Sequence, residues 1–156
     1  MSIVATIRPD EWNLPLLLHV FGAMVLVGGL VAALLFGLAS WRPAARAGFG
    51  RLTFRTLLYV ALPAWIVMRI GAQWIYSRQG WDAVSEEPFW IGIGWITAEG
   101  GGLFLLIAIV LSGLGTGRRR VERGGGTGLT RAATVFAAVA LVAYVFTAWA
   151  MSGKPG

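Results

Sequence analysis

Four apolar runs, each long enough to cross a bilayer, decide what this chain can become. A spanning helix needs about 20 mostly apolar residues, and residues 14–38, 53–76, 89–114 and 129–151 all qualify. Polar, charged or Gly-rich breaks at 40–51, 77–88 and 115–128 separate them. The runs are continuous and far longer than the alternating strands of about 10 residues that build membrane barrels. Backbone groups in hydrocarbon must also bond internally, which favours helices. The expected fold is therefore all-α, a four-helix transmembrane bundle forming one integral membrane domain over residues 1–156. Composition agrees, with 57% hydrophobic and 13% charged residues, against about 25% charged in a soluble domain. The first run exceeds the 7–15 apolar residues of a signal peptide, and its basic residues mostly follow it, so it reads as a retained helix.

Orientation follows from the distribution of Lys and Arg. Arg42, Arg46, Arg51 and Arg55 flank the first loop, and Arg118, Arg119, Arg120, Arg123 and Arg131 flank the third. The opposite side holds only Arg8, Arg78 and Lys154, beside Asp10, Glu11, Asp82, Glu86 and Glu87. Both basic loops are expected in the cytoplasm and both termini outside it. The formal charge of +6 is thus mostly topological. Nucleic acid is not an expected partner, because the basic loops are short and carry no recognition-module pattern. The bilayer is, with anionic lipid at the cytoplasmic leaflet.

Small residues mark the faces that meet other helices in lipid. Gly22, Gly29, Ala33 and Gly37 line one face of the first run, and His19, three residues before Gly22, shares it. Ala133, Ala137, Ala140, Tyr144, Thr147 and Met151 form a stripe on the fourth that grows larger and more polar toward the outside. The second run carries Trp65, Arg69, Gln73 and Tyr76 at helical spacing, with Pro63 expected to kink it and release the Tyr59 carbonyl. The third carries Trp95 and Glu99, followed by Gly100-Gly101-Gly102, which permits either close helix approach or a local distortion. A charge at mid-bilayer costs about 2.5–3.5 kcal/mol on insertion scales, so Arg69 and Glu99, at similar depth, are expected to pair. The candidate site is a polar cluster of His19, Arg69, Gln73, Glu99, Tyr144 and Thr147 in the outer half, serving a ligand or helix register.

Most catalytic chemistries find no residues here. There is no cysteine and only one histidine, which removes thiolate metal sites, thiol–disulfide chemistry and an intramolecular bis-His heme. Gly113-Leu114-Gly115-Thr116-Gly117 and Gly124-Gly125-Gly126 lack the strand and the Gly-Lys-Ser/Thr ending of a phosphate loop, and read as linker. Copper is disfavoured because Met24 points away from His19 and the methionines do not cluster. A heme b with His19 as axial ligand is the remaining cofactor expectation. No catalytic residue is assigned.

The segment Leu18-His19-Val20-Phe21-Gly22-Ala23, ending in Gly28-Gly29, resembles the first helix of a group of small bacterial membrane proteins. The group comprises the copper-resistance D family, the membrane-type protoporphyrinogen oxidase family and uncharacterised four-helix relatives. The ending Trp149-Ala150-Met151-Ser152-Gly153-Lys154-Pro155-Gly156 resembles the Lys-Pro ending of the uncharacterised group. In the oxidase family a first-helix histidine is tied to heme, which by position implicates His19. Two departures argue against oxidase activity and copper import: Leu26 stands where an aromatic residue is usual, and the copper family's further histidines are absent. Abundant Arg, Ala and Gly beside a single Lys suggest a GC-rich bacterial genome, so the expected location is the bacterial plasma membrane. Three functions are expected in competition: a protein binding heme or a small ligand, a non-catalytic accessory subunit of a larger membrane complex or homo-oligomer, and a heme-dependent membrane oxidoreductase.

Overall fold

Proline is the main interior obstacle to a helix in these runs, and only Pro15 and Pro63 lie inside them. Pro15 falls in a first turn, where its missing N–H has no partner to lose. The computed structural model describes residues 10–84, 86, 88–117 and 126–153, and among these every apolar run is helical. Helix α1 spans Asn13–Ala39, α2 Arg46–Thr56, α3 Leu62–Arg78, α4 Phe89–Gly115 and α5 Thr127–Gly153. Helices α2 and α3 belong to one rod, Pro43–Arg78, and the described residues contain four helices long and apolar enough to cross a membrane. That rod begins ten residues before the expected span at 53, because the stretch holding Arg46 and Arg51 extends the helix without extending its apolar run.

Pro63 does perturb the rod, in a form the sequence did not specify. Its ring crowds the Tyr59 carbonyl and offers it no N–H. The chain widens one turn in response: Leu57–Ala61 is π-helical, with the Leu62 N–H bonded back to the Leu57 carbonyl. The expected kink is taken up as a single wide turn, and the helix continues.

The end of the bundle where α1 and α4 begin and α3 and α5 finish is called upper here, and the opposite end lower. Its interior is built from small residues. Ala33, Ala61, Ala108, Ala133, Ala137 and Ala140 are fully buried, interleaved with Leu26, Leu30, Leu57 and Leu105. Large apolar side chains instead cover the outside, Met24 at 69% and Val142 at 68% exposure among them. This inversion of the soluble pattern is the packing rule of helices in lipid, where close backbone approach replaces the hydrophobic drive between them.

Helix α1 packs most extensively on α3, and α4 on α5, so consecutive spans form two hairpins joined across α1 and α5. The α1–α3 contact brings main chain against main chain. A Cβ at Gly22 would lie 2.6 Å from the Met68 nitrogen, and one at Gly71 would lie 2.8 Å from the Pro15 carbonyl oxygen and run into the His19 main chain. The expected faces are inward: Gly22, Gly29, Ala33 and Gly37 on α1, and Ala133, Ala137, Ala140, Tyr144 and Thr147 on α5, are all buried. Arg42, Arg46, Arg51, Arg55 and Arg131 gather at the lower end, Arg131 stacking over Trp41 at 5.5 Å. Among the described residues the upper end is acidic apart from Arg78, which is bonded to Glu11 at 2.8 Å. Arg8, Glu87, Arg118, Arg119, Arg120, Arg123, Gly124, Gly125 and Lys154 lie outside the described residues.

Candidate functional site

The second rod lies against α4 at the lower end, where Cβ atoms at Gly50 and Gly113 would meet Thr116 and Phe54. Toward the upper end, α3 approaches α4 only thinly. Long side chains bridge the widening gap. The Trp65 indole N–H donates to the Ala98 carbonyl at 3.0 Å. One turn above, Arg69 Nη2 donates to Glu99 Oε1 at 2.5 Å while its guanidinium lies 4.7 Å from the centre of the Trp95 ring. Tyr76 meets the same ring edge-on at 5.4 Å, and Trp81 meets Trp90 at 6.1 Å above it.

The pairing of Arg69 with Glu99 follows from depth. Arg69 lies nine residues before the end of α3 and Glu99 ten after the start of α4, or about 14 and 15 Å from the upper end at 1.5 Å per residue. The same region settles the two readings of the glycine run. Helix α4 passes through it without distortion, and two of its glycines make room for aromatics from different helices. A Cβ at Gly101 would lie 2.6 Å from the Tyr144 ring, and one at Gly102 would lie 2.6 Å from that of Trp65. Tyr144 is 6% exposed, and among the described residues its buried Oη completes no hydrogen bond; the neighbouring Trp65 indole gives its N–H to the Ala98 carbonyl instead.

The remaining candidates are placed elsewhere. Thr147 bonds with the Thr97 hydroxyl at 2.7 Å and the Ala143 carbonyl at 3.0 Å, joining α5 to α4. Thr97 was missed in the sequence, where a lone mid-helix hydroxyl has no visible partner. Gln73 is exposed on α3. Glu99 itself faces outward: its side chain is 64% exposed, against 21% for Arg69. The polar cluster expected to converge in an outer-half cavity is therefore divided among the α1–α3, α3–α4 and α4–α5 contacts, with its carboxylate on the surface. Helix α4 turns Gly94, Ala98, Gly101, Leu105 and Ala108 inward, and the residue after Ala98 must then point about 100° away.

His19 has one property of an axial ligand. Its Nδ1–H donates to the Met68 carbonyl at 3.2 Å, which leaves Nε2 as the acceptor nitrogen and fixes the ring. Space is the difficulty. Two surface grooves, of about 250 and 240 Å³, are apolar and shallow, and neither has His19 in its wall. Typical ligand sites occupy about 300–1,000 Å³, and the α3 backbone lies directly against that of His19. The described residues of one copy thus do not fit a heme at this position. The gently purified protein is expected to show no Soret band; a stoichiometric one lost in His19→Ala would overturn this reading.

Compared with known families, characterised proteins and solved structures, the chain matches none.

Proposed function

We propose that this chain is a multi-pass protein of the bacterial plasma membrane that serves as a non-catalytic assembly subunit, docking through the face of α4 that carries Glu99. The observation behind this reading is a carboxylate 64% exposed on the outside of the bundle, about 15 Å into a spanning helix. Ionisable groups at such depth are rare and almost always face protein or water rather than lipid. Arg69 answers only one edge of the carboxylate. Something other than acyl chains covers the rest, and a helix of another subunit fits the site. The basic lower end is assigned to the cytoplasm and both termini to the other side, as the arginine distribution favours.

The test is the mass of the particle extracted with its surrounding lipid by an amphipathic copolymer, without detergent. An assembly larger than one 16.7 kDa chain is expected, reduced to the single chain by Glu99→Leu. A lone chain in the unaltered protein would sink the proposal.

A second reading rests on Tyr144. A buried phenol without a partner is costly, and a small polar molecule between α3, α4 and α5 would satisfy it. That reading retains a ligand role for the region beneath Arg69 and Glu99.

A further inference from the structure

We infer that the occupant of the Glu99 face is a second copy of this chain, related by a two-fold axis parallel to the bundle; the inference rests on the assembly reading above. Through the middle of α4, from residue 96 to residue 110, the residues exposed outward are Ile96, Glu99, Leu103, Leu106 and Val110, between 46% and 76% exposed. They recur at alternating steps of three and four, the spacing of a helix–helix seam. The outer face of α5 has a similar spacing, at Val135, Val139, Val142 and Phe146, but is apolar throughout, and lipid alone suits it. The carboxylate separates the two faces. Beside it, Gly100 presents a surface on which a Cβ would meet nothing within 4 Å. This glycine is not needed for packing within the chain, and it lets a neighbouring backbone come close.

Charge and depth select the partner. The surface offers both signs side by side, Glu99 on α4 and the partly exposed Arg69 on α3. Another protein would need its own donor at matching depth. A second copy rotated about an axis along the membrane normal supplies it automatically, because such a rotation preserves depth and sets the same patch against itself. One oxygen of Glu99 is held by the Arg69 of its own chain. The other is open to the second chain's arginine, whose guanidinium has five N–H donors. Two arginines and two carboxylates then alternate in a ring without net charge, closed off above and below by Ile96, Leu103 and Leu106.

The chain has no cysteine, so single cysteines report contacts cleanly in native membranes. Under mild oxidation Leu103→Cys is expected to move to twice the chain's mass. Val142→Cys, at least as exposed but on α5, is expected to stay single, and Glu99→Leu added to Leu103→Cys is expected to abolish the doubled band. Equal linking at both positions would mean random collision and would overturn the dimer. A photoreactive residue at Ile96 separates the two proposals. Capture of a different protein, with no Leu103→Cys link, overturns the dimer and leaves the assembly reading standing; capture of lipid alone overturns both.

Discussion

Gly22→Ala is expected to cost about 2–3 kcal/mol of bundle stability, toward the upper end of what overpacking produces. Gly28→Ala, on the same helix, is expected to change it by less than about 0.5 kcal/mol, as surface substitutions usually do. The difference lies in what the new methyl group meets. At Gly22 it would lie 2.6 Å from the Met68 nitrogen and 2.9 Å from its Cα, and at Gly28 it meets nothing within 4 Å. A side chain in the way could rotate aside, but the main chain of α3 cannot. The two helices must separate there, which also loosens the His19 bond to the Met68 carbonyl. Thermal unfolding of both variants in the same mild detergent measures the contrast. Equal losses would show that the α1–α3 approach is not what holds the first hairpin.

Glu99→Gln is expected to destabilise the protein by about 2–3 kcal/mol, close to the insertion cost of the arginine it leaves uncompensated. The double change Arg69→Gln/Glu99→Gln is expected to cost less than Glu99→Gln alone, since no charge is then stranded. The stack of Arg69 on Trp95 retains part of the guanidinium's stabilisation, about 0.5–2 kcal/mol for a contact of this type. The single change should therefore weaken the bundle without abolishing it. A double-mutant cycle followed by unfolding reads the coupling. Strictly additive losses would mean that the pair is a geometric neighbour and nothing more.

Much of the architecture was legible in the sequence because membrane helices declare themselves by length and by where their small residues fall. Gly22, Gly29, Ala33 and Gly37, and the α5 stripe from Ala133 to Thr147, are inward as read. The pairing of Arg69 with Glu99 was legible too, since depth can be counted from each helix end. What could not be read was the rotation of each helix about its own axis relative to several neighbours. His19 meets α3 rather than the ion pair because the glycine face of α1 is consumed by Met68 and Gly71. Glu99 faces outward because Gly94, Ala98 and Gly101 claim the inner side of α4 for α5 and Tyr144. That stripe was a usable signal, but the adjoining triple glycine concealed which of its members faced inward. The Thr97–Thr147 bond and the form of the turn before Pro63 required the partner helix and the main chain to be seen.

The hairpin organisation bears on biogenesis. The largest interfaces join spans that follow one another in the chain, α1 with α3 and α4 with α5, so the order of synthesis can also be the order of assembly. The first hairpin then leaves the translocation machinery carrying Arg69 and the Trp65 indole, whose partners Glu99 and Ala98 belong to the next helix to be inserted. Until α4 arrives, one positive charge waits in the membrane without its counter-ion. The arrival of the second hairpin neutralises that charge, ties the two halves together and presents the remaining edge of the carboxylate to the outside, in a single event.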